Sequence, residues 1–340
     1  MKAATGTRLT ADIAFEGGGK RQGYIRLPLS THDSAYGFVP IPVVVIAGAP
    51  GPTTLLTAGN HGDEYEGEVA LANLARALSP DDIAGRLVIL PALNLPAALA
   101  GRRVSPIDGG NLNRAFPGDP AGGATAQIAW YVERVLMPLC DVACDLHSGG
   151  SSLHYLPSTV IPHWADPARF RRSLALVWAF AAPHAYVLDE PEADAPTLLG
   201  AAARGGKLFL GTELGGSGTL GAATLAVAEG GLRRLLGHLG HLPEAAAESP
   251  PVRILRVGGA DYFVHADDDG VAEPLVELGE DVAAGQPAAR IHTPEKPWAE
   301  PVTLRFARAG MVLCRRAPAR VKRGDCLFHL GTDSPWPEPA

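Results

Sequence analysis

The sequence predicts an α/β fold: a mainly parallel, mixed sheet flanked by helices, followed by a small C-terminal all-β domain. Three observations lead there. Short apolar runs alternate with amphipathic helical patterns as far as Leu239. The pattern then changes to short strands broken by Gly, Asp and Pro. Several polar residues of catalytic type stand where apolar runs end, at the positions where open α/β sheets build their sites.

The elements follow in order. Pro40–Ala49 is valine-rich and apolar, Thr53–Asn60 is a second run closed by a Gly-Asn turn signal, and Arg86–Leu93, Cys140–Leu146 and Lys207–Leu214 complete a set of five. Near-continuous apolar character marks strands covered on both faces, the usual condition of parallel sheets. Helical periodicity occupies Glu64–Leu78, Thr125–Leu139, Pro167–Ala181 and Thr219–Leu239. The stretch His241–Pro251, rich in Pro, Ala and Glu, reads as a linker. Val252–Leu330 reads as a small barrel or sandwich. Its turn Leu278–Gln286 is similar to that of biotinyl and lipoyl carrier domains, but no Met-Lys-Met-like attachment site is present and Lys296 lies in Glu-Lys-Pro. The expected division is therefore residues 1–240 and 252–332.

Composition narrows the partners. With 340 residues, 46% hydrophobic and 19% charged, the chain has material for a large core and two domains. A net charge of −7 argues against nucleic acid or an anionic membrane surface. The longest apolar runs, such as Val43–Ala47, are too short to span a bilayer, and Met1–Gly19 has no uninterrupted apolar core of a signal peptide. Cys140, Cys144, Cys314 and Cys326 show no C-x-x-C spacing and read as small buried residues. A cytoplasmic location is expected, and homo-oligomerisation stays open.

The chemistry concentrates in two motifs. Gly59–Gly67 reads Gly-Asn-His-Gly-Asp-Glu-Tyr-Glu-Gly and contains a His-x-x-Glu pair, His61 and Glu64; Asp145–Gly150 reads Asp-Leu-His-Ser-Gly-Gly and supplies His147. Two imidazoles and one carboxylate form the ligand set of a catalytic zinc whose fourth position is left for water. With a helix starting near Asp63, the histidine lies on the approach and Glu64 on the first turn, so both can face one ion. Gly62 between them is expected to permit an unusual backbone conformation. The competing reading has a capping histidine and solvated acids, Asp63, Glu64, Glu66 and Glu68, around a positive helix N-terminus. Asp145, two residues before His147 on one strand, can orient that imidazole or can be a buried acid satisfied by backbone amides. The other histidines, His32, His154, His163, His184, His238, His241, His265, His292 and His329, carry no such context.

Two further motifs complete a pattern: Asn111–Gly118, Asn-Leu-Asn-Arg-Ala-Phe-Pro-Gly, and Thr212–Gly216, Thr-Glu-Leu-Gly-Gly. Together with the first two, they resemble the succinylglutamate desuccinylase/aspartoacylase family, which has a zinc carboxypeptidase-like fold. The resemblance runs from about Val44 to Leu330. Gly-Asp-Glu-Tyr-Glu-Gly, Ser-Pro-Ile-Asp-Gly-Gly-Asn-Leu-Asn-Arg and Asp-Leu-His-Ser-Gly-Gly look closest to the branch that deacetylates N2-acetyl-2,4-diaminobutanoate in ectoine breakdown. The resemblance implies that His61, Glu64 and His147 hold one Zn2+ per chain and that Glu213 is the general base. It implies that Arg114, with Asn113 beside it, binds the substrate carboxylate, and that an upstream arginine polarises the scissile carbonyl. Arg102 and Arg103 are the candidates for that role, with Arg103 preferred. The family's C-terminal tyrosine has Tyr262 as its only candidate.

The chemistry is consistent with these roles. Zinc lowers the pKa of its water to about 7 and polarises a carbonyl. Glu213 would carry the proton from water to the leaving nitrogen. Arg114 would grip a planar carboxylate bidentately, so a small N-acyl amino acid is the expected substrate. Succinylglutamate- or acetylaspartate-type deacylation, a metallocarboxypeptidase and a non-catalytic ligand-binding protein on the same scaffold are the alternatives. Each residue also has a structural alternative: an ion pair for Arg114, a helix cap for Glu213, plain surface for Arg103 and a loop bridge for Asn113. The acidic segment Asp189–Asp194 can receive a cationic side chain or be a solvated loop. Gly216–Gly221 matches G-x-G-x-x-G, but no strand ending in an acid follows about 20 residues on, as a dinucleotide site requires. Ser148 and Ser217 lack the G-x-S-x-G elbow.

Overall fold

A computed structural model describes residues 6–189, 195–243 and 250–336. Its core is four parallel strands, in spatial order Ala84–Leu90, Ala49–Ala58, Val142–His147 and Leu208–Glu213. Gly37–Ala47 adds antiparallel on one side and is followed by Gly19–Leu29. On the other side Ser158–Pro162 adds antiparallel to Leu208–Glu213, and His184–Leu188 and Arg253–Val257 continue parallel to it. The sheet is thus mixed, with a parallel centre. All five strands expected from the sequence are present.

Each sheet face buries alternate residues of the same strands, as the period of two demands. Leu56, Ala58, Cys144 and Leu146 face one core, which helices Tyr65–Ala77, Pro167–Phe180 and Ala222–His238 cover. Leu55, Ala143 and Phe209 face the other, beneath helices Ala124–Tyr131 and Leu198–Arg204. The helix expected over Thr125–Leu139 is regular only to Tyr131 and continues as a π turn, Val132–Leu136, and a 3₁₀ turn, Met137–Leu139. Pro138 within that last turn cannot donate to a regular helix.

A separate four-stranded antiparallel sheet, formed by Val302–Arg305, Pro287–His292, Gly270–Pro274 and Arg320–Val321, lies in the C-terminal part. Arg253–Val257, just after the expected linker, joins the main sheet. The start of that linker is tightly held. His241 is buried, its Nε2 2.7 Å from Thr54 Oγ1 and its Nδ1 2.8 Å from the Ala84 carbonyl oxygen. Residues 244–249 fall outside the described residues. All four cysteines are free thiols. No helix among the described residues is long and apolar enough to cross a membrane.

Candidate metal centre

The parallel centre puts the carboxyl ends of four strands on one edge, and the candidate residues gather there. His147 and Glu213 are the last residues of adjacent strands and are directly paired in register. His61 and Glu64 follow Ala58 in the strand-to-helix turn. The candidate ligand atoms of His61, Glu64 and His147 lie within 4.8 Å of one another.

Glu64 lies between the two imidazoles. Its Oε1 is 2.7 Å from His61 Nδ1 and its Oε2 2.7 Å from His147 Nδ1. The outer nitrogens are held from behind: Asn111 Oδ1 accepts from His61 Nε2 at 3.1 Å, and Asp145 Oδ2 stands 2.8 Å from His147 Nε2. With the proton on Nε2, each Nδ1 keeps a lone pair directed into the cluster. A divalent cation fits this donor set: two imidazole nitrogens and a carboxylate converge while the far ring nitrogens are fixed by oxygen acceptors.

Asp145 resolves between its two readings. It is partnered by side chains: Thr57 Oγ1 donates to Oδ1 at 2.7 Å, while Asn60 Nδ2 donates at 3.0 Å to Oδ2, the oxygen that also holds His147. It therefore positions the imidazole. An Asp145→Asn variant is expected to bind metal about 10- to 100-fold more weakly, the usual cost of losing such a partner. Chelator competition would measure this, and unchanged affinity would reduce Asp145 to a packing role.

The turn differs from expectation in two respects. The helix starts at Tyr65, so Glu64 is its N-cap residue, with extended φ −120° and ψ 92°, and does not sit on the first turn. This places its carboxylate below the helix mouth, between the histidines. Gly62 does not adopt positive φ; Gly59 does, at +65°. Gly62 is needed for close approach, since a Cβ there would stand 2.0 Å from the Ala97 carbonyl carbon. The solvated-acid reading also fails. Asp63 is buried and accepts from Ser151 N and Oγ, both at 2.7 Å, while buried Glu66 accepts from Thr224 Oγ1 at 3.0 Å. Burial, and secondarily the Glu64 charge, push Glu68 up to about 8.

Electrostatics separate the acids. Burial raises the Glu64 carboxyl, but His147 and then His61 outweigh it and hold it well below the usual carboxylate range. Burial opposes protonation of His147, but Asp145 and Glu64 raise it well above an ordinary histidine. For Glu213 burial comes first and the Glu64 charge second; both raise it well above the usual range, against a partial pull from His147 and Arg103. Its Oε2 is buried without a hydrogen-bond partner. Glu213 ends a strand and caps no helix. Two carboxyls pushed in opposite directions at one site are suited to different tasks.

A cavity of about 370 Å³ opens beside the cluster, with Asn113, Arg114, His147, Tyr186 and Glu213 among its walls. Arg103 Nη1 lies 3.5 Å from Glu64 Oε1, with its side chain 44% exposed, so it faces the centre from the solvent side. Arg102 contributes its backbone carbonyl, which accepts from Gly62 N at 3.0 Å. Arg114 donates from Nη1 to the Asn113 carbonyl at 2.6 Å and makes no ion pair among the described residues. Asn113 Oδ1 accepts from Leu198 N at 3.1 Å, which ties its loop to the start of helix Leu198–Arg204, and its Nδ2 lies 3.4 Å from His147 Nε2. Tyr262 is elsewhere, its hydroxyl 3.0 Å from Thr332 Oγ1 and its ring under Arg308. Asp189 pairs with Arg256; residues 190–194 fall outside the described residues. Gly216, in the unused G-x-G-x-x-G match, lets two loops touch. A Cβ there would stand 2.2 Å from the Leu153 carbonyl oxygen.

Sequence reasoning missed Thr57, Asn60 and Asn111 as supports, and Tyr186 as a wall. The polar Thr57 within an apolar strand was the available signal for the first.

An open α/β sheet with a His-Glu-His cluster and a separate half-buried acid at its carboxyl edge has the architecture of a metal-centred hydrolase scaffold. Residues 50–239 match the Succinylglutamate desuccinylase/Aspartoacylase catalytic domain. The chain belongs to that family. It is 44% identical over 321 residues to the N-alpha-acetyl-L-2,4-diaminobutyric acid deacetylase of Halomonas elongata, covering 94% of this chain and 93% of the relative. The product-bound ectoine utilization protein EutE (DoeB) of Ruegeria pomeroyi superposes with a TM-score of 0.91 at 42% identity, over 95% of this chain and 98% of that one. A succinylglutamate desuccinylase/aspartoacylase of Rhodobacter sphaeroides gives 0.92 at 38% identity, over 97% and 100%.

Proposed function

We propose that this protein is a zinc-dependent amidohydrolase that removes a short acyl group from an N-acyl amino acid, and that its substrate is N2-acetyl-L-2,4-diaminobutanoate. The observation that carries the reading is the pairing of His147, in the buried His-Glu-His cluster, with Glu213, an unpartnered acid one strand away facing the same cavity. The named activity of the Halomonas elongata relative supports the choice of substrate. His61, Glu64 and His147 would hold one zinc, which supplies a Lewis acid and an acidified water.

The other steps fall to side chains. Glu213 accepts the proton of the attacking water and delivers it to the departing nitrogen. Arg103 faces the oxygen that becomes negative. Arg114, free of any carboxylate partner among the described residues, takes the substrate carboxylate bidentately, with Asn113 setting its loop. The reaction belongs in the cytoplasm, in keeping with four free thiols.

A screen of N-acetyl and N-succinyl amino acids tests this. We expect kcat/KM for N2-acetyl-2,4-diaminobutanoate to exceed that for N-acetylaspartate and N-succinylglutamate by about 100-fold or more. Preference for peptides over acylated single amino acids would instead make it a carboxypeptidase.

A further inference from the structure

The cavity does not end at Glu213. Register across the sheet places Thr57, Asp145, Gly211, Val160 and Tyr186 in one row on five neighbouring strands. Residues paired in register point to the same face. The row runs from the Asp145 that holds His147 to a tyrosine three strands away, and Asp145, Gly211, Val160 and Tyr186 all line the cavity. At about 4.8 Å per strand, Tyr186 sits roughly 10 Å from the strand of Glu213. Gly211 keeps the floor open: a Cβ there would stand 3.2 Å from Phe209 Cε1 and 3.5 Å from Val160 Cβ.

Tyr186 is held firmly. It is 5% exposed, and its ring stands edge-on to His329 with centroids 5.6 Å apart. Yet its hydroxyl has no hydrogen-bond partner among the described residues and is open to the cavity. Val160, Leu188, Leu199 and Phe209 make the surrounding walls apolar. A phenol hydroxyl that meets no protein group can take its partner from the cavity. A rigid polar tip at the end of an apolar trough is how a site reads the far end of a ligand.

A second cavity of about 340 Å³, lined by His154, Ser217, Arg315 and Arg316, has no comparable group. Its arginines are already paired with Glu277 and Asp325.

We propose that Tyr186 is the specificity residue for the substrate side chain: its hydroxyl accepts a hydrogen bond from the terminal amino group, while the apolar walls take the methylenes. This rests on the deacylase reading above for the identity of the side chain. It accounts for a cationic group being read in a trough whose two carboxylates, Asp145 and Glu213, have other work.

The test uses two free amino acids that differ only at that end, L-2,4-diaminobutanoate and L-2-aminobutanoate, bound to the zinc-loaded protein and to Tyr186→Phe. Calorimetry is expected to show a loss of about 10- to 100-fold in affinity for the diamine and no more than about 2-fold for the other, the range for a hydrogen bond to a charged group. Retained binding of 2-aminobutanoate shows in the same experiment that the variant is folded. An equal loss for both ligands, or no loss for the diamine, would overturn the assignment. Failure of the deacylase reading is a separate result: no turnover of any acylated amino acid by the wild-type protein.

Discussion

His147→Ala is expected to lose metal and activity together. The wild-type protein should carry about one zinc per chain, as an open three-ligand site implies, and the variant less than about a tenth of that. Deacylase activity should fall by about 1,000-fold or more, since several kcal/mol of charge stabilisation go with the ion. The imidazole has a second task that a simple ligand count overlooks. It lies between Asp145 and Glu64, at 2.8 and 2.7 Å, two buried acids whose charges it separates. Without it these acids face each other across a hole, so the variant should also melt below the metal-free wild-type protein. Metal analysis, kinetics and thermal melts on both proteins test the three statements. A variant that kept its zinc and full activity would break the assignment of the triad.

Glu213→Gln should separate what His147→Ala joins. The amide replaces a carboxyl that touches no ligand residue through a hydrogen bond, so zinc should stay near one per chain. It cannot shuttle a proton, so kcat should fall by about 100- to 10,000-fold with little change in KM. The exchange should also be well tolerated by the fold. Desolvation of its carboxyl and the charge of Glu64 both drive Glu213 toward the neutral form before any ion is bound. A variant with normal kcat would remove Glu213 from the chemistry and favour a ligand-binding role for the scaffold. A variant that lost its zinc would move Glu213 into the metal's own shell.

Much of this was legible in the chain itself. Apolar runs buried on both faces have a periodicity that local residue choice expresses directly, so the five strands and their alternating helices could be read. The same alternation places His147 and Glu213 at strand ends and His61 just beyond one. Other strands were harder to see. Gly19–Leu29 is an outer strand rich in polar residues, and Ser158–Pro162 and His184–Leu188 are short; none has a long apolar run.

Residue spacing could suggest that His61, Glu64 and His147 meet, but not how. That Glu64 caps its helix, that Nδ1 of each histidine points inward, and that Thr57 and Asn60 pin Asp145 all depend on strands whose order in space differs from their order in the chain. Tyr186 is the clearest case: nothing near it in sequence marks it. It reaches the cavity because Ser158–Pro162 runs antiparallel into the sheet and carries His184–Leu188 beside it. Local chemistry determines which residues can form strands and bind metal; only the long-range pairing of strands decides which side chains share a face, because register is set by contacts between segments far apart along the backbone.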